Sequence, residues 1–136
     1  MMRHEQAQSP ENLVCYTYNI FEPFSSQITC VTSTRLGGVS QGPLRSLNLS
    51  FRVGDDEQNV IANRLNLYNA VHVDPERVAQ AQLVHGNHIE VVDDQSPIGL
   101  YEKFASTDGL VTSAINRSLF IPVADCAAVA FFDPLA

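Results

Sequence analysis

The chain has 136 residues, 45% of them hydrophobic and 17% charged, the make-up of one globular domain long enough to bury a core. Its net charge of −7, from 8 basic against 15 acidic residues, disfavours a nucleic-acid polymer or an anionic membrane as partner. A small anion is not excluded, because three of the basic residues, Arg35, Arg45 and Arg52, fall in one Gly-rich stretch.

Residues 1–12 are polar and aperiodic, lack the apolar core of a secretion signal, and read as a loose tail ahead of a domain over 13–136. Leu13 to Phe24 suggests a strand running into a turn at Pro23, and the β-branched run Ile28–Thr32 a second strand with Cys30 in the core. Ser33 to Asp56 is long and irregular, with Gly37, Gly38, Gly42, Pro43 and Gly54, and a loop of that length in a compact domain points to function. It matches neither a Walker loop nor a dinucleotide fingerprint. Gly37-Gly38 could converge backbone N–H groups on an anion beside Arg35, or could simply serve two tight turns. Asp55 or Asp56 then caps a helix whose apolar face is Val60, Ile61, Leu65, Leu67, Tyr68 and Val71, which predicts packing and no chemistry. Asp74-Pro75-Glu76 opens a second, shorter helix, with His72 exposed in the linker before it.

Ala81 to Val92 places two alternating runs around Gly86-Asn87, a hairpin signal that would set His85 and His88 across from each other. Two histidines so placed fit a metal or a solvated turn. Asp93–Ser106 reads as a surface loop, and Thr107–Thr112 as a turn into a strand. Leu119 to Phe132 is the most apolar run, expected as two buried strands meeting at an Asp125-Cys126 corner that opens into a pocket. The plainer alternative makes Cys126 a small core residue and Asp125 a turn cap. Three cysteines with no Cys-x-x-Cys spacing argue for a reducing, cytoplasmic setting, and no apolar run approaches the ~20 residues that span a bilayer.

An ordered series of motifs runs through the chain. It comprises Thr34-Arg35-x-Gly37-Gly38-Val39-Ser40, Ser46-Leu47-Asn48-Leu49, Val53-Gly54-Asp55-Asp56, Asn63-Arg64, Val84-His85-Gly86, Asp108-Gly109-Leu110-Val111-Thr112 and Ala124-Asp125-Cys126. From about Ile28 onward the series resembles the YfiH-like family. That family has been labelled laccase-domain or multicopper polyphenol oxidase, and is described as purine nucleoside phosphorylases with adenosine deaminase and methylthioadenosine phosphorylase activities. The resemblance implies an α/β (α+β) fold, a mixed-sheet sandwich incomplete at its C-terminus, and a site built of two histidines and one cysteine. His85 and Cys126 fall on two of those positions, both as metal ligands and as catalytic groups, and the third ligand is expected beyond Ala136. The chain is therefore expected to hold the N-terminal part of one YfiH-like domain and to lack turnover alone.

Zinc suits such a donor set, with copper the alternative. A laccase-type copper site needs many histidines, and this chain has four. The implied partners are purine nucleosides and phosphate. Zinc would supply water activation for deamination, while phosphorolysis calls on Arg35 and nearby amides for phosphate and on Asn48 for ribose or base edges. Two rival readings are a cysteine hydrolase using Cys126 with His85 as base, and an inactive truncated fragment that only binds nucleosides.

Overall fold

Strand β2 (Val14–Tyr18) begins where the tail gives way to Leu13, Val14 and Cys15, all buried. In a computed structural model of the protein, which describes residues 2–6, 12–101 and 104–135, it is the middle strand of an antiparallel sheet. Its partners are β1 (Met2–Gln6) and β3 (Val31–Ser33), with Cys15 opposite Ser33 and Thr17 opposite Val31. The segment expected as a loose tail thus contributes β1, while residues 7–11 lie outside the described residues. After β2 the chain winds through a 3-10 turn, Asn19–Phe24, that holds Pro23.

The chain divides into two compact units. The first is Met1–His72 with Val129–Ala136, and the second is Val73–Ala128. In the first, helix α1 (Glu57–Ala70) starts as its sequence dictates, with the Asp56 carboxylate accepting from the Gln58 N–H at 2.8 Å. Gly37 sits at φ +89° against the backbone of Leu13, and a side chain there would collide with it.

The second unit opens on the turn Pro75–Arg77, where Asp74 accepts from the Glu76 N–H at 2.9 Å. The cap is where the sequence puts it, but the expected second helix is only one 3-10 turn. Two small parallel sheets follow. β4 (Val78–Gln80) pairs with β7 (Ser118–Phe120), and β5 (Ile89–Val91) pairs with β6 (Gly109–Val111). Ala79, Val92 and Phe104 form the core, with Leu110 packed on it.

Two expectations fail here. No hairpin forms over 81–92, because β5 takes a parallel partner from far along the chain and residues 82–88 form no strand. The apolar run from Leu119 supplies only the end of β7. Residues 121–133 are irregular, and residues 123–128, with Asp125 and Cys126 among them, are exposed rather than buried. Among the described residues no helix is long and apolar enough to cross a membrane.

Candidate functional site

In the first unit the Gly-rich segment is held by one helical side chain. Asn63 of α1 is fully buried, and its Oδ1 accepts from the Val39 N–H at 2.8 Å. Its Nδ2 donates to Ser40 Oγ and to the Asn48 carbonyl, both at 2.8 Å, and reaches the Ser46 carbonyl at 3.3 Å. One amide thereby fixes four points of a loop that meets the sheet at its start, where the Thr34 N–H donates to the Val14 carbonyl at 2.8 Å. Arg64, also fully buried, donates from Nε to the Leu49 carbonyl at 2.7 Å and lays its guanidinium 4.3 Å from the centre of the Phe51 ring.

Sequence reasoning treated α1 as packing and missed both residues. The signal was present: Val60, Asn63, Arg64 and Leu67 share the i, i+3, i+4, i+7 stripe, so two polar residues occupy the buried face.

Asp55 closes the network, accepting from Ser40 Oγ at 2.6 Å and from Asn48 Nδ2 at 2.9 Å. Those two hydrogen bonds lead the influences that hold its carboxyl below the usual range, against the opposing pull of desolvation. Asn48 also donates to the Ser50 carbonyl and accepts from the Ser50 N–H, each at 3.1 Å. Much of its amide is therefore engaged within the loop.

Arg35 is exposed and straps the loop's other limb. Its carbonyl accepts from the Leu47 N–H at 2.9 Å and from Ser46 Oγ at 2.8 Å. Its guanidinium donates to the Arg45 carbonyl through Nε at 2.9 Å and through a terminal nitrogen. A cleft of about 480 Å³ is lined by Arg35, Leu36, Gly42, Pro43, Arg45 and Ser46.

In the second unit Asp108 does for the histidine loop what Asn63 does for the Gly-rich one. Its Oδ1 accepts from the N–H groups of Val84 (3.1 Å) and His85 (2.8 Å), and its Oδ2 from that of Gly86 (2.9 Å). Desolvation is the largest single influence on the Asp108 carboxyl and pushes its pKa up. The N–H groups of Gly86, Val84 and His85, with the His85 ring, outweigh it and leave the pKa lowered. His85 is exposed at φ +60°. That conformation is uncommon for a residue with a side chain, and three hydrogen bonds into one carboxylate stabilise it. Cys126 is the exposed member of three free cysteines, while burial pushes the thiols of Cys15 and Cys30 up. His88 pairs with Glu90 at 3.2 Å rather than with His85.

Imidazole nitrogen and thiolate sulfur suit zinc, and both side chains are exposed enough to reach an ion. Among the described residues, however, no three His, Cys, Asp or Glu side chains gather as a ligand set. His85 and Cys126 each offer a donor of suitable chemistry, and among the described residues no ligand set gathers around either.

Positions 29–136 match the family described as multi-copper polyphenol oxidoreductase laccase. The chain belongs to that family. It is 37% identical over 112 residues to a purine nucleoside phosphorylase of Corynebacterium glutamicum, covering 82% of this chain and 45% of the relative. It is 40% identical over 112 residues to a purine nucleoside phosphorylase of Mycobacterium tuberculosis, covering 82% and 43% respectively. The crystal structure of Bacillus licheniformis hypothetical protein YfiH superposes with a TM-score of 0.75 at 28% identity, over 92% of this chain and 45% of that one. The YfiH-like family and the mixed α/β architecture expected from the sequence are both found, and the chain spans less than half the length of these relatives.

Proposed function

We propose that this chain carries part of the machinery of a purine nucleoside phosphorylase, with adenosine deaminase and methylthioadenosine phosphorylase activities at a zinc site. The observation that carries the phosphorylase part of this reading is the 37% identity over 112 residues to a protein named purine nucleoside phosphorylase. His85 and Cys126 would hold the metal together with a donor from outside the described residues, and zinc, with copper the alternative, would supply Lewis-acid activation of water. Asp108 orients the His85 backbone by taking three N–H groups. Arg35, with donors to spare beyond the Arg45 carbonyl, binds phosphate, and Asn48 positions the nucleoside directly or through the loop it braces.

The test is a chimera in which this chain's matching segment replaces that of the Corynebacterium glutamicum relative. Hypoxanthine release from inosine should require phosphate. Ammonia release from adenosine, the step that uses the metal-activated water, should fall by about 100-fold in His85→Ala and in Cys126→Ala, the upper end of what loss of a ligand's supporting partner already costs. Full turnover in both variants, or release without phosphate, overturns the reading. Turnover that survives a chelator but not thiol alkylation reassigns Cys126 as a nucleophile.

A further inference from the structure

The cleft of the first unit holds a cation that the proposed chemistry does not use. Arg45 is exposed, and among the described residues no hydrogen bond or ion pair engages its guanidinium. Its backbone, by contrast, is fixed. The Arg45 carbonyl takes the Arg35 guanidinium, its N–H donates to the Gly42 carbonyl at 3.2 Å, and Ser46 beside it is tied to the Arg35 carbonyl. A free side chain on an anchored backbone is the arrangement of a ligand-facing arm.

Arg35 is the complementary half. Guanidinium carries five N–H donors. Two of its nitrogens point donors at the Arg45 carbonyl, which leaves the rest of the fork free on a group whose plane is already set. No acidic residue lines the cleft, so two positive groups stand together on a chain whose net charge is −7. Leu36 and Pro43 supply apolar wall, and about 480 Å³ is in the range of sites for small organic molecules rather than bare ions.

We propose that this cleft binds a phosphoryl dianion, with Arg45 as the arm that meets it and Arg35 as the fixed partner. The proposal rests on the phosphorolysis reading only for the choice of phosphate over other oxyanions. Bidentate arginine–phosphate hydrogen bonds suit a dianion held between two guanidinium groups. Inorganic phosphate and a sugar phosphomonoester share that chemistry. The apolar wall and the volume favour the ester.

The experiment is calorimetric titration of the full chain with inorganic phosphate and with ribose 5-phosphate, at low and physiological salt. Ribose 5-phosphate should bind about tenfold more tightly than phosphate, and both should weaken as salt screens the pair. Equal affinities would assign the site to free phosphate itself. Arg45→Ala should weaken both anions by about tenfold without changing the far-UV circular dichroism, Arg45→Lys by less, and Arg45→Glu should abolish binding. Binding of neither anion to the folded protein overturns the proposal, as does equal loss in the Lys and Glu variants, since charge would then not matter. Because the titration needs neither metal nor turnover, failure of phosphorolysis with anion binding intact removes the proposed activity and leaves this site standing.

Discussion

Residues 34–56 and residues 121–128 are both irregular, and they obtain their conformations by opposite means. The first segment is polar and Gly-rich, yet Ser40 and Leu47 within it are buried, and Asn63, Arg64, Asp55 and Arg35 tie it at several points. The second is the most apolar part of the chain, yet its described residues from Val123 to Ala128 are exposed. In this molecule satisfied polar groups, not apolar composition, decide which irregular segment holds buried residues. Burial of a polar side chain is stabilising only where each donor and acceptor finds a partner, and Asn63 meets that condition.

The comparison breaks most severely at Asn63. Asn63→Leu keeps the branched heavy-atom skeleton but leaves the Val39 N–H and the Asn48 carbonyl without their partner, while Ser40 Oγ retains only Asp55. At about 1–3 kcal/mol for each buried group left unsatisfied, and with partial relaxation, the expected loss is about 3–5 kcal/mol in urea unfolding. A loss under about 1 kcal/mol would mean the loop is held by something other than this amide. Ser40→Ala is the milder cut. Asn63 Nδ2 keeps the Asn48 and Ser46 carbonyls, and Asp55 keeps Asn48, so about 1–2 kcal/mol is expected by the same measurement.

Acid provides a third cut, and it reaches both units. Asp55 and Asp108 each have a carboxyl pKa lowered in the folded protein. A depressed folded pKa contributes stability that is present above the unfolded value, near pH ~3.9, and is lost as pH falls below it toward the folded value. Stability should therefore hold near neutrality and decline below about pH 4. Asp108→Asn should flatten that decline, and at neutral pH should speed hydrogen exchange at Val84, His85 and Gly86 while sparing the Asn63-held loop. An unchanged acid limb and unchanged exchange at those three amides would remove Asp108 from its role in positioning His85.

What the sequence made legible is what is decided locally. The Asp56 and Asp74 caps and the Asp74-Pro75 start are matters of one side chain and the next two N–H groups, and both stand where expected. Strand pairing is not local. The alternation around Gly86-Asn87 favours a hairpin, but Ile89–Val91 pairs in parallel with Gly109–Val111, a partner no neighbouring residue announces. The run after Leu119 shows that apolarity predicts a need for cover, not which element provides it. Of the candidate residues, Arg35, His85 and Cys126 stood out from their local sequence, but the local structures expected for the last two, a hairpin and a buried corner, did not form. Their joint role as ligands, and the role of Asn48, came only from the motif series. Asp108 lay within the same series with no role to read from it, because its part is played through backbone N–H groups that a sequence does not display.

The smallest expected effect tests the other side of the comparison. Val129 is 70% exposed and Phe131 is 90% exposed, so neither side chain has much buried area to lose. Exposed positions away from caps and networks usually shift stability by less than about 0.5 kcal/mol. Val129→Ser and Phe131→Ser should therefore each leave the unfolding midpoint nearly unchanged, in contrast to the single buried amide of Asn63. The measurement is to be made across a range of protein concentrations, since association between copies would hide these side chains. A loss above about 1 kcal/mol that grows with concentration would show that the apolar run is covered in solution by a second copy. The same loss at every concentration would show that the run packs within one chain, and the contrast between the polar and apolar segments would then be withdrawn.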